Sequence, residues 1–231
     1  SIKPKDFTDI DFRVKENSQK ADEYYVKVSS SMNTAIALNK HIIGGNWGLN
    51  FFRNPACNLC DDVFAETCDI VIGDAWIRPY IKNPLGTSII IVRNKIIGNL
   101  MQDGKSSNQI YLDTLSIDEA IRSQFSGLTD RRQGLKFRIN IFKRYFKRDV
   151  PKKRFMDRNY KISLRRKLIY LKRLFFEYLS HKSYVLSLRL NTFFVYKLIV
   201  YPAFILEYIL YPSKSLKLLK IYLQTLTRKL S

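Results

Sequence analysis

The stretch TCDIVIGDAWIRPYIKNPLGTSIIIVRN, residues 67–94, decides the fold. Two short β-branched runs lie near its ends. Asp69–Ile72 stops at Gly73, and Ser88–Val92 follows Gly86 and Thr87. Runs of this length, bounded by turn residues, read as strands, and continuous apolar character reads as a buried strand. Between them RPYIKNPLG (78–86) holds two prolines and a glycine and reads as a loop. Working outward, Tyr24–Val28 alternates around valines and predicts another strand. HIIGGNWG (41–48) predicts a glycine-rich loop or strand end. Ser116 opens SIDEAIRSQF. Its spacing to Glu119 is that of a capping box, and Ile117, Ala120 and Ile121 supply an apolar stripe. Up to about residue 130 the pattern predicts a small mixed α+β domain.

The texture changes at Arg131. RRQGLKFRINIFKRYFKRDVPKKRF (131–155) is basic with interleaved aromatics and is broken at Pro151. From Ile162 a helical period takes over. Leu164, Leu168, Leu171, Phe175 and Tyr178 form its apolar stripe, with Arg165, Arg166, Lys172 and Arg173 off it. A second apolar segment occupies 191–212, and its longest charge-free run is Leu198–Leu206. That falls far short of the roughly 20 apolar residues needed to span a bilayer. It reads as an interfacial or packing helix kinked near Pro202. SKSLKLLKIYLQTLTRKLS (213–231) predicts a further short basic amphipathic helix.

Charge is divided unevenly. The 231 residues carry a formal net charge of +20, yet residues 1–130 hold 14 basic and 16 acidic side chains. Residues 131–231 hold 26 basic and 4 acidic ones. Such asymmetry points to a polyanionic partner, either nucleic acid or an anionic membrane surface. The basic and aromatic residues lie on apolar periodic helices, without a stacking platform or a reader motif, which argues against nucleic acid. Basic amphipathic helices with Tyr and Phe suit anionic lipid. Residues 136–231 are therefore expected to associate with a membrane surface.

All three cysteines, Cys57, Cys60 and Cys68, fall within CNLCDDVFAETCDIVIGDAW (57–76), together with five carboxylates. An odd, crowded set of thiols is no secreted disulfide framework and fits a reducing, cytoplasmic setting. Residues 1–30 show no apolar run of the signal-peptide kind. Cys57 and Cys60 are spaced to share one metal or cluster. Structural zinc and iron–sulfur clusters both want four ligands, and His41 and His181 are remote in sequence. A redox dithiol and a purely structural pair remain the alternatives, and Cys68 is either a ligand or a small core residue. Asp61, Asp62 and Glu66 have helix spacing and read as flanking a helix N-terminus. Gly86, Thr87 and Ser88 sit at a loop-to-strand junction, where backbone N–H groups approach a phosphate or a flavin edge, or simply form a turn. Asp74 and Trp76 follow a strand end, where side chains face a ligand or cover the core. Arg93 pairs either with Asp74 or with a phosphate, a solvated structural ion pair being the simpler reading.

The combined string RNPACNLCDDVFAETCDIVIGDAW (53–76) and GTSIIIVR (86–93), with DIDFRVKE (9–16) before it and SIDEAIRSQ (116–124) after it, resembles the C-terminal domain of the coenzyme F420 hydrogenase/dehydrogenase beta-subunit family. The resemblance covers roughly residues 1–135. It implies an oxidoreductase carrying a 4Fe–4S cluster and FAD, passing electrons to a partner or to coenzyme F420. Members of this kind occur in cell-surface polysaccharide clusters. Carried over by position, Cys57 and Cys60 become cluster ligands with Cys68 as a further candidate, and Asp74, Trp76, Gly86, Thr87 and Ser88 become flavin-site candidates. The family's N-terminal domain, with its ferredoxin-like cysteines, has no counterpart here, and neither does the basic tail in the family. The expected architecture is thus a small α/β domain (1–135) and a basic, mainly helical extension (136–231), forming the C-terminal part of a longer protein. Activity would require the missing domain or a redox partner. The alternative from a different class is a non-catalytic basic adaptor at the inner membrane face, with structural cysteines.

Overall fold

In the computed structural model, residues 6–15, 20–42, 45, 47–147, 149–155 and 160–210 are described, with side chains in the last helix through Ala203. The helix expected over 213–231 lies outside them. The fold is α+β, and the chain divides into two compact units. The first draws on Ser1–Ile36, Cys60–Leu135 and Lys152–Asp157; the second on Ala37–Leu59, Lys136–Pro151 and Arg158–Ser231.

Strands β1 (Phe7–Val14), β2 (Tyr25–Ser30) and β3 (Thr34–Leu38) form an antiparallel sheet in that order. The β2–β3 turn is closed by Ser30, whose N–H donates to the Asn33 carbonyl at 2.8 Å. The two runs of the opening stretch become β4 (Ile70–Asp74) and β5 (Ser88–Val92), paired antiparallel from Ile70↔Val92 to Asp74↔Ser88. The ladder is extended at each end: Ala75 N–H donates to Thr87 O, and Arg93 N–H to Asp69 O. β4 is not the buried strand expected, and Ile72 is 62% exposed. Among the described residues this sheet has only two strands, and two strands cannot cover both faces of each other.

Helix α1 (Lys95–Ser106) follows β5 directly. Asn94 caps it, accepting from Ile96 N–H at 2.9 Å. Asn108, in the left-handed region at φ 57°, ends it by turning Gln109 N–H back to Gly104 O. A Cβ on Gly104 would stand 3.2 Å from the Ile110 side chain, a tight approach that Ile110 would have to yield to. Helix α2 (Ile117–Ser123) carries the expected capping box between Ser116 and Glu119. Its apolar stripe is not packed, since Ile117 is 80% exposed. The helix is tied down instead by buried Ser123, whose hydroxyl accepts the Trp76 N–H at 2.9 Å. A short helix, α3 (Phe125–Leu128), passes into a π-turn over Thr129–Gln133, closed by Gly134 N–H to Thr129 O.

The second unit contains α4 (its residues after Leu135 in Leu135–Phe146), α5 (Leu164–Arg189) and α6 (Phe193–Leu210). Leu49, Phe51, Phe176, Tyr196, Val200 and Ala203 form its core. Phe51 and Phe176 lie 5.4 Å apart between ring centroids, and Phe52 stacks on Tyr196. The periodicity places α5 but not its inner face. Leu164, Leu168, Leu171, Phe175 and Tyr178 are exposed. The buried positions are Ile169, Tyr170, Lys172, Phe176, Glu177, Ser180, Ser183 and Ser187. Serines let neighbouring backbone approach closely and satisfy it: Ser180 accepts the Phe52 N–H at 2.9 Å and donates to Glu177 O. Pro202 lies inside α6. Among the described residues no helix is long and apolar enough to cross a membrane.

Candidate functional site

The thiol- and acid-bearing segment contains no α-helix. Its first part, Pro55–Leu59, is a 3₁₀ turn. Asn54 starts it, its side chain accepting the Ala56 N–H at 2.9 Å, with Pro55 in the first position where no N–H is required. Arg53 donates to Cys57 O, and Arg138 Nε donates to Asn58 O at 2.8 Å. The Asn58 amide, 1% exposed, donates to the Glu177 carboxylate in a short hydrogen bond. Burial pushes the Glu177 carboxyl above its ordinary value, and Asn58, Arg53 and His181 pull it back.

From Cys60 onward the segment is an irregular loop held by arginines. The π-turn aims two adjacent side chains at it. Arg131 donates to Asp62 O at 2.7 Å and lies 3.9 Å from Cys60 Sγ, while Arg132 forms a short ion pair with Glu66. Arg154 reaches Glu66 at 2.9 Å and Asp62 at 3.8 Å, and its N–H donates to buried Asp61. Arg93 binds the carbonyls of Phe64, Ala65 and Cys68 at 2.8–3.0 Å. The Asp62 carboxyl is held below its ordinary value, first by its hydrogen bond with Glu66 and further by Arg154. Two expectations change. Asp61, Asp62 and Glu66 do not flank a helix: arginine side chains meet Asp62 and Glu66, and Asp61 accepts the backbone N–H of Arg154. Asp74 pairs with Arg13 at 3.6 Å rather than with Arg93.

The three thiols are free. Cys57 and Cys60 are half-buried, Cys60 directed at Asp62 O, and Cys68 is exposed. Among the described residues no set of three or more His, Cys, Asp or Glu side chains is arranged to hold a metal ion.

A cleft of about 510 Å³ lies between the start of β5, α1 and residues 111–115. That is within the usual range for small-molecule sites. Ala75, Ile89, Ile90, Met101, Leu112 and Leu115 give it apolar walls. Thr87, Ser88, Gln102 and Lys105 add polar groups, and Tyr80 donates to Asp113 at 2.8 Å across it. That hydrogen bond raises the Tyr80 pKa. Gly86, at φ +86°, supplies the left-handed turn leading into Thr87. Of the residues expected at a flavin, Thr87 and Ser88 line this cleft; Asp74, Trp76 and Gly86 are not part of its wall. Sequence reasoning missed the α1 contribution, although Asn94 followed by KIIGNLM carried a helix-start signal.

The antiparallel β4–β5 ladder feeds a capped helix beside this cleft, in a small α+β domain. The family model that describes the C terminus of the coenzyme F420 hydrogenase/dehydrogenase beta subunit matches residues 1–118, half of the chain. The chain belongs to that family. No curated protein and no solved structure matches it.

Proposed function

We propose that this chain is the C-terminal part of an iron–sulfur flavoprotein oxidoreductase that passes electrons between a cluster, a flavin and a partner or deazaflavin. The domain limits are 1–135 and 136–231, and cell-surface polysaccharide synthesis is the proposed setting. One observation carries this reading: every residue lining the β5–α1 cleft, from Ala75 to Leu115, falls inside the segment matched by the redox family.

A bound flavin supplies reversible one- and two-electron transfer. The chain's part is to hold it. The apolar wall of Ile89, Met101 and Leu115 would shield a flavin from water, and the hydroxyls of Thr87 and Ser88 with the Lys105 ammonium would meet its polar groups. Cys57 and Cys60 contribute two of the four ligands of a cluster, the others coming from a further domain or partner. Cys68 remains a weaker candidate.

The test is FAD titration followed by flavin fluorescence, with Thr87→Phe as the perturbed form. Phe fills the cleft without removing the Ala75–Thr87 backbone bond, so circular dichroism should be unchanged while FAD affinity falls about tenfold or more. Equal affinity in the two proteins would remove the flavin from this cleft.

A further inference from the structure

The tip of the α5–α6 pair is built in an unusual way for a packed helical hairpin. Asn191, at φ 48°, reverses the chain, with Asn191 N–H bonded to Leu188 O and Thr192 N–H to Ser187 O. Only three residues separate the helices, so they fold back on one another. Their mutual contact uses small or inward groups: Ser183 and Ser187 are buried on α5, and Tyr196 and Val200 on α6. The large apolar side chains near the turn are left outside. Leu188, Phe194 and Leu198 are 62%, 68% and 61% exposed, and Leu190 is also exposed, whereas Phe193 stacks on buried Tyr196 and Tyr184 meets the Phe52 ring edge-on. Isolated exposed apolar residues need no explanation, but a contiguous set at one end of a hairpin does.

Charge selects what covers it. No Asp or Glu occurs from Tyr178 through Leu206, whereas Lys182, Arg189 and Lys197 border the tip. A second copy placed symmetrically on this face would bring the same basic border against itself, which like-charge repulsion opposes. An anionic bilayer offers both an apolar layer for Leu and Phe and negative headgroups for the rim. Among the described residues, no helix of the hairpin is long and apolar enough to cross a membrane.

We propose that residues 184–198 are a lipid-docking tip that inserts Leu188 and Phe194 into the interface of an anionic membrane, with Arg189 at headgroup level. The redox reading neither requires nor supplies this surface. It replaces a diffuse affinity of the whole basic tail by one structured element.

The experiment is co-sedimentation of the full chain with vesicles of phosphatidylcholine alone and of phosphatidylcholine with phosphatidylglycerol. The parent protein should bind the anionic vesicles only, and less as salt is raised. The exposed double change Leu188→Ser with Phe194→Ser should weaken binding about tenfold or more, with an unchanged circular dichroism spectrum. In a separate variant, Phe194→Trp, the added indole emission should shift to the blue on anionic vesicles. Two results would overturn the proposal. One is undiminished binding by the double variant, which would assign lipid affinity to other basic residues. The other is a lipid-independent dimer abolished by the same double variant, which would make the face an interface between copies.

Discussion

Replacing Asn58 by Ala tests how the cysteine-bearing turn is held. The Asn58 side chain is almost completely buried, and its amide donates to Glu177, itself buried on α5. Alanine removes the donor and leaves the carboxylate in place. A hydrogen bond to a charged group contributes about 1.5–3 kcal/mol, and the loss falls at the upper end because Glu177 is buried, with Arg53 and His181 left as its remaining favourable charges. Arg138 still holds Asn58 O, since that contact is to the backbone. The expected destabilisation is therefore about 3 kcal/mol. With an m value of about 2 kcal/mol/M, the urea midpoint should fall by about 1.5 M. Tryptophan fluorescence in a Trp76→Phe background reports this through Trp47, which lies in the same unit as Asn58. Asn58→Asp should lower the midpoint at least as far, because it sets a second carboxylate against Glu177. A loss below about 0.5 kcal/mol for Asn58→Ala, within ordinary surface effects, would refute the reasoning.

Glu177→Gln should behave in the opposite way. Because burial raises the folded-state pKa of Glu177, its favourable contribution is complete below the ordinary value of 4.5 and is lost as pH rises through the folded value. Glutamine keeps an acceptor for Asn58 without the charge, so the variant should match or exceed the parent in stability near neutral pH. That advantage should shrink toward about pH 4 in urea midpoints; an advantage growing on acidification would contradict the assignment. Arg93→Ala removes three donors to the carbonyls of Phe64, Ala65 and Cys68. Amide hydrogen exchange across residues 63–69 should quicken, and unchanged exchange would show that the loop is held by other contacts.

Local signals in the sequence carried the elements whose causes are local. The β-branched runs at 70–74 and 88–92 became strands, and the Ser116–Glu119 pair became a capping box. The misread parts depend on tertiary partners. α5 was legible as a helix, but its buried face is marked by Lys172, Glu177, Ser180, Ser183 and Ser187, residues whose polarity reads as solvent-facing. α4 was obscured because Arg138 sits within its buried set of Leu135, Ile139 and Phe142. At the site, the thiols and acids were visible, but Arg131, Arg132 and Arg154 come from far along the chain, the first two aimed by a π-turn that no periodicity announces. Ala37–Leu59, inside the family-matched segment, belongs to the same compact unit as α5 and α6.

The most direct test of the redox account is the visible absorbance and iron content of the native assembly containing this chain, prepared without oxygen. Flavin absorbance that is diminished by Thr87→Phe, together with iron that is lost in a Cys57→Ser, Cys60→Ser double variant, is the expected result. A colourless, iron-free assembly, or iron that survives loss of both thiols, would contradict it.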